Sequence, residues 1–243
     1  MQTLAKSNQL KTAVITGASS GIGRASALAL SAAGFDLLLC GRDSSRLDDL
    51  KSEIEGGSGI VHIFKCDVAD LLQVKNLVER ASELWSSVDL LFNNAGAGKV
   101  VALEETSDEL WHDTIGTVLH GTFYCCREFL PLLKRSSRAL IINNASVAAH
   151  RGFPGFTAYS AAKGGVAAFS RSLREELRSS GIRVTTLSAG ATDTPFWNDL
   201  AGEWDRSQMM SAGTVAEMIR HIAELPPSAQ VEELLLMPSG GAL

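Results

Sequence analysis

The stretch from Thr12 to Gly34 restricts the possible folds more than any other part of the chain. Thr12-Ala13-Val14-Ile15-Thr16 is a short β-branched run, and Gly17-Ala18-Ser19-Ser20-Gly21-Ile22-Gly23 follows it at once. An alanine-rich helical segment then runs from Arg24 to Gly34. Strand, glycine turn and helix in immediate succession form the context in which glycines point to phosphate binding. The glycines permit a tight turn and close backbone approach, while the helix N-terminus offers unpaired N–H groups and the positive end of its dipole. The spacing is G-x-x-x-G-x-G, so the competing reading is a glycine-rich turn that holds nothing.

The same alternation continues downstream. Short apolar runs at Asp36–Cys40, Ile60–Cys66, Val88–Phe92, Ala139–Asn143, Val184–Ser188 and Glu233–Met237 read as strands. Helical spacing fills the intervals: Ser44–Gly56, Leu71–Trp85, a long helix opened by Thr106-x-x-Glu109 as a capping box, Ala158 to a Gly181 cap, and Thr214–Glu224. Pro131 ends the long helix or bends its last turn. Helices alternating with strands predict an α/β fold with a parallel sheet whose ligands sit at the strand C-termini. The whole of 1–243 reads as one domain with no repeat or linker.

Three strand ends then carry candidate binding residues. The second strand finishes in Gly41-Arg42-Asp43. In dinucleotide folds the residue at this point faces the adenosine ribose; an acid there selects the 2′-OH, whereas an arginine welcomes a 2′-phosphate. Arg42 therefore favours NADP, with NAD the remaining option and a solvated helix-heading arginine the bland one. Asn93-Asn94-Ala95-Gly96 follows the fourth strand, and Asn144-Ala145-Ser146 follows the fifth.

Thirteen positions after Ser146 comes Tyr159-Ser160-Ala161-Ala162-Lys163, near the start of a long helical pattern. Four residues is about one turn, which stacks Tyr159 and Lys163 on one face. A phenol with a pKa near ~10 is a poor acid at neutral pH, and a neighbouring ammonium would lower that pKa. Ser146 could reach the same point and hydrogen-bond a substrate oxygen. Taken alone, Y-x-x-x-K is more often ordinary helix packing than chemistry.

Residues 189–213 contain Pro195, Phe196, Trp197, Trp204, Met209 and Met210. So long a connection in a compact domain suggests a substrate lid closing on something apolar, the alternative being a loop packed on the body. Phe153 and Phe156 add to the apolar set; Arg151 is the one nearby cation. Hydrophobic residues at 45% and charged residues at 20%, with a net charge of −5 free of long blocks, give no basic stripe for nucleic acid and no amphipathic anchor for a membrane. The opening MQTLAKSNQLK has no apolar signal region, and no apolar run is long enough to span a bilayer. Cys40, Cys66, Cys125 and Cys126 form no C-x-x-C pair; they read as reduced core thiols of a cytoplasmic protein, with no metal site.

Gly17-x-x-x-Gly21-x-Gly23, Asn93-Asn94-Ala95-Gly96, Ser146 and Tyr159-x-x-x-Lys163 resemble, in order and spacing, the short-chain dehydrogenases/reductases, from about Leu10 to Met237. The resemblance implies a single Rossmann-type doubly wound domain with a seven-stranded parallel sheet. It implies carbonyl/alcohol interconversion on a small-molecule substrate, and a homo-oligomer, tetramer or dimer, built through the two long helices. By the same resemblance Ser146 polarises the carbonyl, Tyr159 protonates it, and Lys163 lowers the tyrosine pKa and bonds the nicotinamide ribose. Gly17, Ser19, Ile22 and Gly23 hold the pyrophosphate and adenosine ribose. Asp67 and Val68 contact adenine, while Asn94, Ala95 and Gly96 line the cofactor. Thr192 and Thr194 meet the carboxamide and phosphates. A 3-oxoacyl thioester or a small to medium apolar ketone is the implied substrate.

Two positions depart from the family's pattern. Val118 stands where the family has an asparagine assigned to a proton-feeding water chain, with Thr117 and Thr114 the nearby hydroxyls. Ala189 replaces the usual proline before Gly190, which loosens the entry to the lid. Val118 also motivates an alternative, a cofactor-binding protein with weak or no catalysis. Isomerase or dehydratase chemistry is a third option, disfavoured by the short C-terminus.

Overall fold

The computed structural model describes residues 11–57, 59–200 and 202–241. The outermost residues of the expected domain, 1–10 and 242–243, lie outside that range. Nine strands and seven α-helices are present among the described residues. β1 (Lys11–Thr16), α1 (Gly21–Ala32), β2 (Phe35–Gly41), α2 (Ser44–Ile54), β3 (Val61–Lys65), α3 (Leu71–Leu84) and β4 (Leu90–Asn93) make the first half. α4 (Asp108–Ile115), α5 (Gly121–Leu133), β5 (Leu140–Asn144), α6 (Thr157–Leu177), β6 (Arg183–Ala189), the short β7 (Thr192–Asp193) and β8 (Met210–Ser211), α7 (Ala212–Glu224) and β9 (Glu233–Leu236) complete it.

Seven strands pair in parallel in the order β3-β2-β1-β4-β5-β6-β9, the expected Rossmann-type α/β sheet. Alternate side chains of one strand point to opposite faces, so each strand feeds two cores. Ala13, Ile15, Leu37 and Leu39 pack under α1, α2 and α7 with Leu30, Leu47 and Ile219. Val14, Leu38, Cys40 and Leu91 pack on the other side with Leu77, Phe129 and Leu173 of α3, α5 and α6. Burial on both faces explains why β1, β2 and β6 read as apolar or small-residue runs from Thr12, Leu37 and Val184 onward. All four cysteines are free and buried.

The long helix differs from its expected form. Ser107, not Thr106, is its N-cap: the Ser107 hydroxyl accepts from Leu110 N at 3.1 Å. The Thr106 hydroxyl instead donates to Ala102 O at 2.9 Å, closing the preceding turn. Between α4 and α5 the backbone widens into a single π turn, Gly116–His120, with Val118 at its centre. Such turns insert one residue into the helical register and cluster at functional sites. Pro131 lies in the last turn of α5, which runs on to Leu133.

The entry to residues 190–211 is not loosened by Ala189. Ala189 pairs with Leu236 in the ladder, and Gly190 N donates to Leu236 O at 2.8 Å. Beyond it, β7 and β8 form a two-stranded parallel ribbon, and Arg206 ties Asp193, Asn198 and the Thr194 carbonyl together.

Candidate active site

The strand order reverses between β1 and β4, the place where doubly wound sheets open a crevice beyond their C-terminal edge. A cleft of ≈ 1260 Å³ occupies that place. Its floor is tied together by one side chain. Asn94 Nδ2 donates to Thr16 O at 3.2 Å and Gly17 O at 3.1 Å, while Asn94 Oδ1 accepts from Asn144 Nδ2 at 2.9 Å. Asn94 thereby joins the ends of β1, β4 and β5 as well as bordering the cleft.

The glycine turn delivers α1 with its first N–H groups open. Ser20, the N-cap, makes no side-chain capping bond, and no acid sits in the first turn. Side chains cap α2, α3, α4 and α7 at the same position. An uncapped N-terminus facing a cleft is a ready anion site. Gly17, Ser19, Ile22, Thr192 and Thr194 all border the cleft. Gly23 does not: it lies behind the turn, where a β-carbon would fall 2.3 Å from Gly17 O and 2.5 Å from Asn94 Nδ2. Its glycine is demanded by packing against the turn.

At the far side Arg42, Asp67 and Val68 border the cleft, joined by Arg46 and Lys65, which the sequence did not single out. Arg46 follows Arg42 by one helical turn, a visible signal; Lys65 enters because β3 pairs with β2 in the register Gly41↔Lys65. Asp43 is committed elsewhere, capping α2 through Arg46 N at 3.2 Å and pairing with the Arg46 guanidinium at 3.2 Å.

Ser146, Tyr159 and Lys163 converge at the centre. Ser146 follows β5 in an extended conformation, and its hydroxyl accepts from Ala148 N at 3.1 Å, fixing its direction. Gly98 passes so close over Tyr159 that a β-carbon there would sit 2.7 Å from Tyr159 Cδ2. Lys163 Nζ lies 5.7 Å from the Tyr159 ring centroid, confirming the shared helix face, and donates to Asn144 O. The expected electrostatics are not those found. Burial pushes the Tyr159 phenol up to about 12, opposed by a hydrogen bond with Ser146. Burial brings the Lys163 amine down to about 7. Desolvation of each group outweighs the attraction of ammonium for phenolate that the sequence led us to expect.

The remaining wall is apolar. Phe153, Phe156, Phe196, Trp197 and Trp204 border the cleft, whereas Met209 and Met210 do not; Met210 packs against the core beneath α1 and α7. Arg151 is exposed and outside the lining.

Residues 11–204 match the family described as short chain dehydrogenase. The chain belongs to the short chain dehydrogenase family. It is an oxidoreductase that interconverts CH–OH and C=O with a nicotinamide dinucleotide. It is 34% identical to an uncharacterized oxidoreductase of Staphylococcus saprophyticus, covering 95% of this chain and 98% of that protein. Sulfoacetaldehyde reductase of Chromohalobacter salexigens is 36% identical, with 93% of this chain and 92% of the relative covered. An alcohol dehydrogenase from the archaeon Thermococcus sibiricus, solved with 5-hydroxy-NADP, superposes with a TM-score of 0.89 at 32% identity, covering 95% of this chain and 97% of that one.

In this dehydrogenase Val118 is a core residue. It is 1% exposed and packs with Ala145, Ala162, Val166 and Ala167. Thr117 borders the cleft, while Thr114 is buried and its hydroxyl donates to Leu110 O at 2.8 Å. The hydroxyl that the π turn offers to the cleft is therefore Thr117.

Proposed function

We propose that this dehydrogenase reduces a neutral, apolar ketone to a secondary alcohol with NADPH, or runs the reverse reaction. The observation that carries this reading is one cleft with an uncapped helix N-terminus and three cations at one end, and Ser146, Tyr159 and Lys163 at the other. The residues fit the cofactor. The open N–H groups of α1 suit the pyrophosphate, and Arg42, Arg46 and Lys65 suit a 2′-phosphate, since the Asp43 carboxylate is already engaged. Bound in reduced form, NADP supplies the hydride that becomes the new C–H bond of the alcohol. Ser146 donates a hydrogen bond that orients the carbonyl oxygen. Tyr159, kept as the neutral phenol by burial, gives that oxygen its proton. Lys163 stands beneath Tyr159 and supports the phenolate left behind. Residues 189–213 act as the substrate lid, through Phe196, Trp197 and Trp204.

The purified chain is expected to oxidise NADPH only when a ketone is present, with a higher kcat/KM for NADPH than for NADH. Arg42→Ala should reduce that preference by about tenfold, the scale of one charge-assisted hydrogen bond to phosphate. Steady-state rates with both cofactors decide it. Tight NADPH binding without turnover of any ketone would instead support the binder reading raised by Val118. The convergence of all three reacting groups speaks against that reading, because binding alone needs none of them.

The homo-oligomer is proposed to form through the outer faces of α5 and α6. Phe123, 37% exposed, packs edge-on to Phe169 across these two helices at 6.2 Å. Sedimentation should give a dimer or tetramer that Phe123→Glu shifts toward monomer; a wild-type monomer would sink the assignment.

A further inference from the structure

Six rings form an unbroken chain around the reacting centre. Phe153 meets Phe156 at 6.0 Å and 64°, and Phe156 meets Tyr159 at 5.9 Å and 66°. Tyr159 meets Phe196 at 5.5 Å and 41°, Phe196 meets Trp197 at 5.9 Å and 89°, and Trp197 meets Trp204 at 4.8 Å and 55°. Two separate segments supply these rings, one running from Phe153 into the first turn of α6 and one between β7 and β8, and all six border the cleft. Trp197 is locked in place because its indole N–H donates to Thr192 O at 2.8 Å. The rings thus present faces and edges to whatever lies against Tyr159.

Charge is distributed in the opposite sense. Among the described residues bordering the cleft, Arg42, Asp43, Arg46, Lys65 and Asp67 all stand at the ends of β2 and β3 or the start of α2. The exception is Lys163, which is 3% exposed and hydrogen-bonded to Asn144 O beneath the phenol. Among the described residues, no charged side chain borders the aromatic end. A substrate anion placed there would be desolvated without a partner, which is costly. A planar π-system would gain from stacked and edge-to-face contacts that a puckered aliphatic ring of equal size cannot make.

We infer that the substrate is an uncharged, flat-ringed ketone or its secondary alcohol, selected by the ring chain with Phe196 as the main determinant beside Tyr159. This rests on the carbonyl-reductase reading above and narrows it from neutral, apolar ketones in general to aromatic or fused-ring ones. Phe196 holds the pivotal place because it bridges the reacting tyrosine and Trp197, through which the chain continues to Trp204.

The test uses matched pairs. 2-Tetralone and trans-2-decalone share one carbon skeleton, and neither carbonyl is conjugated, so they differ chiefly in flatness. 4-Methylacetophenone and 4-acetylbenzoate share shape and differ in charge. With NADPH, kcat/KM is expected to be about tenfold or more higher for 2-tetralone than for trans-2-decalone. It should be about a hundredfold higher for 4-methylacetophenone than for 4-acetylbenzoate. Phe196→Leu should cut the first ratio to about twofold or threefold and leave the second large. Equal values within either pair, or an undiminished tetralone preference in Phe196→Leu, would overturn the inference while the reductase reading stands. Binding of the same four ketones, followed by quenching of tryptophan fluorescence, gives a readout independent of turnover. The same preferences in binding with no turnover would keep the inference and remove the reductase reading. No binding of 2-tetralone at millimolar concentration would overturn the inference outright.

Discussion

Tyr159→Phe is expected to lower kcat for ketone reduction by ~10²–10⁴-fold, the usual range for losing a positioned general acid. The ring remains to fill its place under Gly98 and beside Phe156 and Phe196, so folding and NADPH binding should change little. Only the hydroxyl is lost, and with it the proton that the proposed mechanism delivers alongside the hydride. The direction of the pKa shift adds a second reading of the same group. A phenol held up near about 12 is protonated throughout the neutral range, which suits reduction. Alcohol oxidation needs the phenolate, so its rate should climb with pH while reduction does not require that rise. Stopped-flow or steady-state assays in both directions check this. Reduction at wild-type rates in the phenylalanine variant would remove Tyr159 from the reaction.

Much of this site could be read in one dimension because its parts follow strand ends. The turn Gly17–Gly23, the Asn93–Gly96 segment and Ser146 each come directly after an apolar strand, and a parallel sheet brings all such ends to one edge. Tyr159 and Lys163 needed only the period of a helix. The features that escaped reading depend on what neighbours what. Lys65 enters the cleft through the β2–β3 register, which no local pattern encodes. Gly23 has the spacing of a phosphate-binding glycine yet is shaped by the Gly17 carbonyl behind it. Thr106 has the form of a capping residue, but the preceding turn takes its hydroxyl and Ser107 caps the helix. The π turn around Val118 carries no sequence signature beyond the glycines that begin and follow it, Gly116 and Gly121. The pairing of Tyr159 with Lys163 was legible as geometry; its electrostatics were not, because desolvation depends on everything packed around it.

That desolvation leads to the other large expected effect, on stability. The Lys163 amine has an ordinary value of 10.5 and is brought down to about 7 by burial. Between those values the unfolded chain holds a proton at this position and the folded chain does not. Unfolding therefore takes up a proton, and folded stability rises with pH by up to ~1.4 kcal/mol per unit. Below about 7 the full cost of charging a buried amine is present; above 10.5 it is gone. The buried thiols act in the other direction. Cys40 and Cys125 are raised well above 9.0, and Cys126 to about 12, so their contribution falls away as pH climbs past 9.0. The clean window for Lys163 is thus pH 7 to 9. Across it the wild type should gain roughly 2–3 kcal/mol relative to Lys163→Met, whose side chain cannot titrate. Urea unfolding of both proteins at each end of the window measures the difference. Parallel curves would mean that the amine is hydrated or paired in the folded state and pays no burial penalty. The predicted slope means that the chain keeps a titratable base under its phenol at the expense of stability near neutral pH. An apolar side chain beside Val118 and Ala162 would avoid that cost, which is why Lys163→Met is the informative comparison.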